Sequence, residues 1–356
     1  MVISRTPYRI SFFGGGTDYA AWYREHGGAV LATTINKYCY LTCRHLPPFF
    51  DHRFRLVYSK IEDCLRVDDI QHAAVRETLR FLGIDRGLEI HHDGDLPARS
   101  GMGSSSSFTV GLLHALHALE GRLPSHRQLA FESIAIERDR LKETVGSQDQ
   151  VSAAYGGFNH ITFLQNGEIS VRPMTLPRER IAELESHLLL FFTGISRTAS
   201  VVADSFASHL QDRRRELRIL KDMVDESLSI ITGRQDILAF GELLHESWQA
   251  KKGLSPRVSS PIIDDIYARA RAAGAVGGKL IGAGGGGFML LFAPPAQHPA
   301  IKNALSPLLH VPFAFEHAGS QIIFVDRQEE YLADERPTPA RALEFRPQPM
   351  IRPVAS

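Results

Sequence analysis

The chain is poor in cysteine, with three among 356 residues: Cys39, Cys43 and Cys64. That is too few, and too unevenly spaced, for a disulfide framework or a four-ligand zinc site, so free thiols are expected. Long apolar runs are missing as well. The longest, such as 188–192 and 288–295, fall far short of a membrane span. An excess of one charge is also absent. Lys+Arg and Asp+Glu each number 40, which argues against nucleic acid or an anionic membrane as a partner. Any anion site must therefore be local. The first five residues run straight into patterned sequence without a secretory apolar region, so a cytoplasmic protein is expected. No internal repeat is visible. No G-x-x-x-x-G-K-[ST] occurs either, which excludes a P-loop nucleotide site.

What is present is an ordinary globular mix, 44% hydrophobic and 22% charged, in a chain long enough for one large or two ordinary domains. Residues 3–13 and 30–44 are rich in β-branched and aromatic side chains and read as strands. Residues 19–26 read as a short helix ended by Gly27-Gly28. Ser104 or Ser105 can cap an amphipathic helix through 108–119, with Val110, Leu113 and Leu116 on one face. Ser125 and Gln128 form an S-x-x-Q capping box for a helix reaching about Lys142. Beyond about residue 185 the texture changes. A short apolar strand at 188–193 precedes long helical stretches at 203–231 and 237–250. A third helix starts at Ser260-Pro261 and stops at Gly274, and strands at 288–293 and 321–326 close the segment. The reading is α+β, with a first domain at 1–185, a second at 186–333, and a Pro-rich tail at 334–356. That tail carries five prolines and reads as extended chain.

The clearest chemical signal is Leu96-Pro97, then Ser100-Gly101-Met102-Gly103-Ser104-Ser105-Ser106-Ser107 leading into a helix. Glycines let the backbone approach a phosphate, successive N–H groups converge, and the helix start adds positive partial charge. Serine hydroxyls there can also ligate Mg²⁺, which prefers hard oxygen donors. A flexible Gly/Ser linker would not run directly into a periodic apolar helix. A second cluster, 282–287, satisfies G-x-G-x-x-G by letter. A strand follows it, whereas the dinucleotide fingerprint must open a helix, so NAD is argued against.

Three stretches in order resemble the GHMP small-molecule kinases. The first runs from Thr6-Pro7-Tyr8-Arg9-Ile10 to Gly14-Gly15-Gly16-Thr17-Asp18-Tyr19, the second is the serine loop, and the third is Lys279-Leu280-Ile281 through Gly287. The resemblance implies a two-lobed fold, an N-terminal ATP-binding lobe and a C-terminal ferredoxin-like lobe, with ATP and substrate in the cleft between them. It assigns Pro97, Ser100, Gly101, Met102, Gly103, Ser104, Ser105 and Ser106 to ATP, and Ser105 with Glu137 to Mg²⁺. It makes Asp149 the catalytic base, with Arg9 beside it. Phosphoryl transfer independently needs a carboxylate to take the acceptor's proton and cations to neutralise the moving charge. Taken alone, Glu137 would be a solvated helix residue and Asp149 a turn former.

Galactokinases carry Glu-His where this chain has Gly15-Gly16, and they share the Thr17-Asp18 that follows. Gly15, Gly16, Thr17 and Asp18 are therefore expected at the sugar, Asp18 holding hydroxyls. The missing bulk and missing carboxylate fit a longer sugar phosphorylated at its far end. The form is most similar to heptose 7-phosphate kinases. Arg197 and Lys251-Lys252 are the candidates for the distal phosphate. Other readings are a fucokinase-like or mevalonate-type member, a non-catalytic sugar sensor on the same fold, and, more distantly, a Rossmann oxidoreductase. The expected partner is a small sugar phosphate; oligomeric state is left open.

Overall fold

The computed structural model describes residues 1–47, 49–98, 100–195 and 213–326. Arg197, the stretch 203–212 and the Pro-rich segment 334–356 lie outside those residues.

The N-terminal apolar stretch forms β1 (Val2–Phe13), buried along almost its whole length. α1 (Ala20–His26) leaves through Gly27, whose φ of 67° favours glycine. The 18-residue β2 (Gly28–His45) is the spine of the first sheet. A hairpin of β3 (Phe54–Val57) and β4 (Ile61–Cys64) follows, then α2 (Ala73–Leu82) and β5 (Leu88–Gly94). Next come α3 (Ser104–Leu119), α4 (His126–Ile134), α5 (Gln148–Tyr155), β6 (Phe158–Phe163), β7 (Ile169–Pro173) and α6 (Arg178–Ser186). β1 lies antiparallel on β2. The first half of β2 pairs with β6 and the second half with β5, while β3 joins β5 as a parallel neighbour.

The second unit begins with β8 (Leu188–Phe192) and continues through α7 (Arg214–Thr232), α8 (Leu238–Lys252) and α9 (Pro261–Ala272). β9 (Gly277–Leu280), β10 (Phe288–Phe292), α10 (His298–Ala304) and β11 (Leu309–His310) complete it. Its antiparallel sheet has the order β11-β8-β10-β9, so the last strand flanks the first, the ferredoxin-like arrangement. The cap-then-proline start of α9 is as read, with the Ser260 hydroxyl accepting from the Ile263 N–H.

Two expectations change. The strand expected to close the second segment, β13 (Gln321–Val325), instead pairs with β1, and β12 (Phe315–Glu316) pairs with β2. The chain thus returns to the first sheet. The helix after the serine loop is not amphipathic: Ser106 through His117 are all buried. It is a core helix covered on every side, and its buried polar side chains Ser106, Ser107, His114 and His117 are each hydrogen-bonded. Gly111 permits this, since a Cβ there would sit 2.7 Å from the Thr6 hydroxyl. Ser4 donates to the Gly111 carbonyl and Ser107 to that of Pro7, at 2.8 and 2.9 Å, so α3 is pinned to β1.

Phe240 of α8 joins the two sheets. Its ring lies 5.5 Å from Phe12, 5.1 Å from Phe13 and 6.1 Å from Phe292. Truncating a buried aromatic at such a seam costs on the order of 3–5 kcal/mol.

Candidate active site

A cavity of about 370 Å³ opens between the sheets, lined by Arg9, Gly15, Asp18, Gly103, Asp149 and Lys251 among others. The serine loop forms one wall. Gly103 carries a φ of 76° and occupies the cap position of α3, so the serines stand in the first turn rather than capping it as expected. The loop is held from both sides. Arg9 N–H donates to the Met102 carbonyl at 3.1 Å, and an Arg9 guanidinium nitrogen to the Gly101 carbonyl at 2.6 Å. On the other side lies the second glycine cluster. A Cβ at Gly282 would sit 2.5 Å from the Gly101 Cα, and one at Gly287 2.0 Å from the Ser100 carbonyl oxygen. The cluster read as a failed dinucleotide motif is a surface on which the loop backbone packs.

Arg9 and Asp149 form a bidentate pair, Nε to Oδ1 and Nη2 to Oδ2, both 2.7 Å. Asp149 stands in the first turn of α5, where the helix dipole favours an anion. Gly103 lies against both, since a Cβ there would be 3.3 Å from Arg9 Cγ and 3.5 Å from Asp149 Oδ2.

Asp18 is fully buried. Its carboxylate accepts from the Gly16 N–H at 2.9 Å and the Gln148 N–H at 3.2 Å, tying the first motif to the turn before Asp149. Burial pushes its pKa up, and those two N–H donors pull the other way. A side chain at Gly146 would collide with it, the built Cβ falling 1.9 Å from Oδ2. Asp18 therefore organises the site as well as lining it. Thr17 does not line the cavity, contrary to expectation. Its single hydroxyl proton faces both the Gly14 and Ala29 carbonyls, and its oxygen accepts from the Ala29 N–H, locking the turn.

Glu137 sits in a π-helical turn (Ala135–Arg140) that continues α4, so the helix stops just short of the expected Lys142. Such turns often mark functional positions. One carboxylate oxygen accepts from the Ser106 hydroxyl at 2.9 Å and from the Gln150 amide. The other is buried with no hydrogen-bond partner among the described residues. Burial raises the Glu137 pKa to about 7. Ser106 makes this hydrogen bond, while Ser105, expected to share a Mg²⁺ ion with Glu137, is exposed on the cavity wall one position back.

Of the remaining loop residues, Gly101, Ser104 and Ser106 line the cavity; Pro97, Ser100 and Met102 do not. Pro97 is exposed, Ser100 is buried under Gly287, and the Met102 side chain belongs to the core. Gly15 and Gly16 open on the cavity, and a Cβ at Gly15 would meet nothing closer than 3.7 Å. Sequence reasoning gave Lys279 no role. It reaches from β9 to donate to the Phe12 carbonyl at 2.7 Å. The available signal was a lysine inside an otherwise apolar strand.

A family pattern described as GHMP kinases N terminal domain matches residues 69–157, and one described as GHMP kinases C terminal matches 220–308. The chain is 29% identical to a D-glycero-alpha-D-manno-heptose 7-phosphate kinase of Campylobacter jejuni over 85% of this chain and 92% of that protein. A D-glycero-D-manno-heptose 1-phosphate kinase structure from Bacteroides thetaiotaomicron is 25% identical, with a TM-score of 0.74, covering 92% of this chain and 100% of that one. Lactococcus lactis galactokinase complexed with galactose shares the fold, with a TM-score of 0.70 at 18% identity over 90% and 94% of the two chains. No helix among the described residues is long and apolar enough to cross a membrane. The chain therefore belongs to the GHMP kinase family, whose members use ATP as phosphoryl donor, and is a sugar kinase similar to the heptose phosphate kinases.

Proposed function

We propose that the protein transfers the γ-phosphoryl group of ATP to the anomeric hydroxyl of D-glycero-D-manno-heptose 7-phosphate. The product is the 1,7-bisphosphate, a precursor suited to GDP-heptose and surface polysaccharide synthesis. The observation that carries this reading is the open space at Gly15, where a Cβ would meet nothing closer than 3.7 Å; it leaves room for a longer sugar in the cavity that Asp149 also lines.

Asp149 accepts the proton of the acceptor hydroxyl as the new oxygen–phosphorus bond forms and the bond to ADP breaks. Arg9 holds the carboxylate in one orientation through two parallel hydrogen bonds. The backbone N–H groups of residues 101–107 suit the ATP phosphates. Ser106 and Glu137 fit a divalent cation: they present hard oxygens, and one Glu137 oxygen is buried and unpartnered among the described residues. A Mg²⁺ ion held there supplies charge neutralisation at the phosphates. Asp18 has lone pairs left after its two backbone bonds and accepts from sugar hydroxyls.

Phosphorus NMR of the product tests the assignment. A new phosphate coupled to the anomeric proton is expected. Phosphate on any other carbon, or none on the heptose, would reject it.

A further inference from the structure

The serine loop lacks the lysine that many nucleotide sites place against the transferred phosphate. Two lysines from the second unit face the same cavity. Lys251, in the last turn of α8, and Lys279, in β9, are only 7% and 3% exposed. Each ammonium has three donors. Lys251 spends one on the Gly282 carbonyl and Lys279 one on that of Phe12. Among the described residues neither has a carboxylate at ion-pair distance. Burying a charge without a counterion is expensive, so a buried pair of this kind, one side open to a cavity, is built for an anion.

The position of Lys251 says which anion. Gly282, to which it is bonded, lies directly on Gly101 of the loop, whose carbonyl is bonded to Arg9. Arg9 and Lys251 therefore meet at Gly101, the first through its carbonyl and the second through the Gly282 packed on it. The charged groups that act on Lys251 are Arg9 from β1, Asp18 from the turn after it, Asp149 from α5, and Lys279 from β9. These are the groups at the reacting end of the site. We propose that Lys251 and Lys279 hold the phosphoryl group in transit between ATP and the acceptor. The second unit thereby supplies, from both lysines, N–H donors that the loop lacks, and from Lys251 a charge. This rests on the kinase reading but not on which sugar is phosphorylated.

Burial, reinforced by Arg9, brings the Lys251 pKa down to about 8, and burial takes that of Lys279 well below the ordinary lysine range. Charge on Lys251 is then present below pH 8 and lost above it.

The test uses Lys251→Met, Lys251→Arg and Lys279→Met in the full chain, with thermal unfolding to confirm the fold. Binding of ADP with Mg²⁺ and aluminium fluoride, a mimic of the moving phosphoryl group, is measured by calorimetry without any sugar. Wild type should bind it more tightly than ADP alone, and Lys251→Met should lose that increment. With sugar, kcat should fall roughly 100-fold in Lys251→Met for phosphorylated and free heptose alike, at little change in acceptor KM. Lys251→Arg should keep most of the rate and lose the alkaline fall near pH 8. Undiminished aluminium fluoride binding in both Met variants would overturn the proposal. So would a defect confined to the KM of the phosphorylated sugar, which would assign the lysines to the acceptor's own phosphate. If no heptose turns over at all, the binding arm still decides the lysines' role, and only the substrate assignment falls.

Discussion

Arg9 grips Asp149 through two parallel hydrogen bonds of 2.7 Å, one from Nε and one from Nη2. The two residues are 140 positions apart, with β2, β3, β4 and β5 of the first sheet between them in sequence. The contact joins β1 to the start of α5, where we propose that the acceptor hydroxyl loses its proton.

Asp149→Asn keeps the shape of that side chain but removes the proton acceptor. A general base contributes typically 10²–10⁴-fold, so kcat should fall by about that factor with acceptor KM little changed. ADP release in steady state measures it. A kcat within threefold of wild type would remove Asp149 from the role of base.

Gly282→Ala probes the seam between the glycine cluster and the serine loop. The added carbon would fall 2.5 Å from the Gly101 Cα, at a φ of 79°. Displacing the loop should raise the KM for ATP by roughly tenfold, in keeping with the cost of a small misplacement in a positioning site. Gly121→Ala is the control, with a φ of 69° and nothing within 4 Å, and should leave that KM alone.

Glu137 gives a pH signature. Its folded pKa is raised to about 7 from an ordinary 4.5, so between those values the folded state binds more protons than the unfolded state. Stability then declines as pH rises from 4.5 to 7, by about 3 kcal/mol at most, and is flat above. Glu137→Gln should flatten that slope in urea titrations at pH 5 and pH 8, and should abolish turnover. An unchanged slope would mean Glu137 is ionised throughout.

Thr17→Val separates a turn lock from a sugar ligand. The substitution removes the hydroxyl proton shared by the Gly14 and Ala29 carbonyls and leaves the Ala29 N–H without the Thr17 oxygen. Stability should drop by about 1–3 kcal/mol while sugar KM holds within a few-fold. A large KM change at unaltered stability would return Thr17 to the substrate.

Much of this was legible in residue order because the signals are local. The glycines of the loop, the Ser260-Pro261 start of α9 and the run of β-branched residues in β2 each specify their geometry within a few positions. The return of β13 to β1 was not legible, because strand pairing across 300 residues leaves no mark in either strand alone. The same holds for the even burial of α3, which depends on what covers it. Ser105 and Ser106 could not be told apart from spacing, since adjacent residues in a helical turn differ only in which neighbour they face. Lys279 looked like the edge of a motif until its reach to Phe12 placed it in the cavity.

The most direct test of the account is ATP consumption with D-glycero-D-manno-heptose 7-phosphate beside mannose, galactose, fucose and mevalonate. The account predicts acceptor-dependent ADP release with the highest kcat/KM for the heptose phosphate, lost in Asp149→Asn. A rate with the heptose phosphate no higher than with ATP alone, while another acceptor turns over, would contradict it.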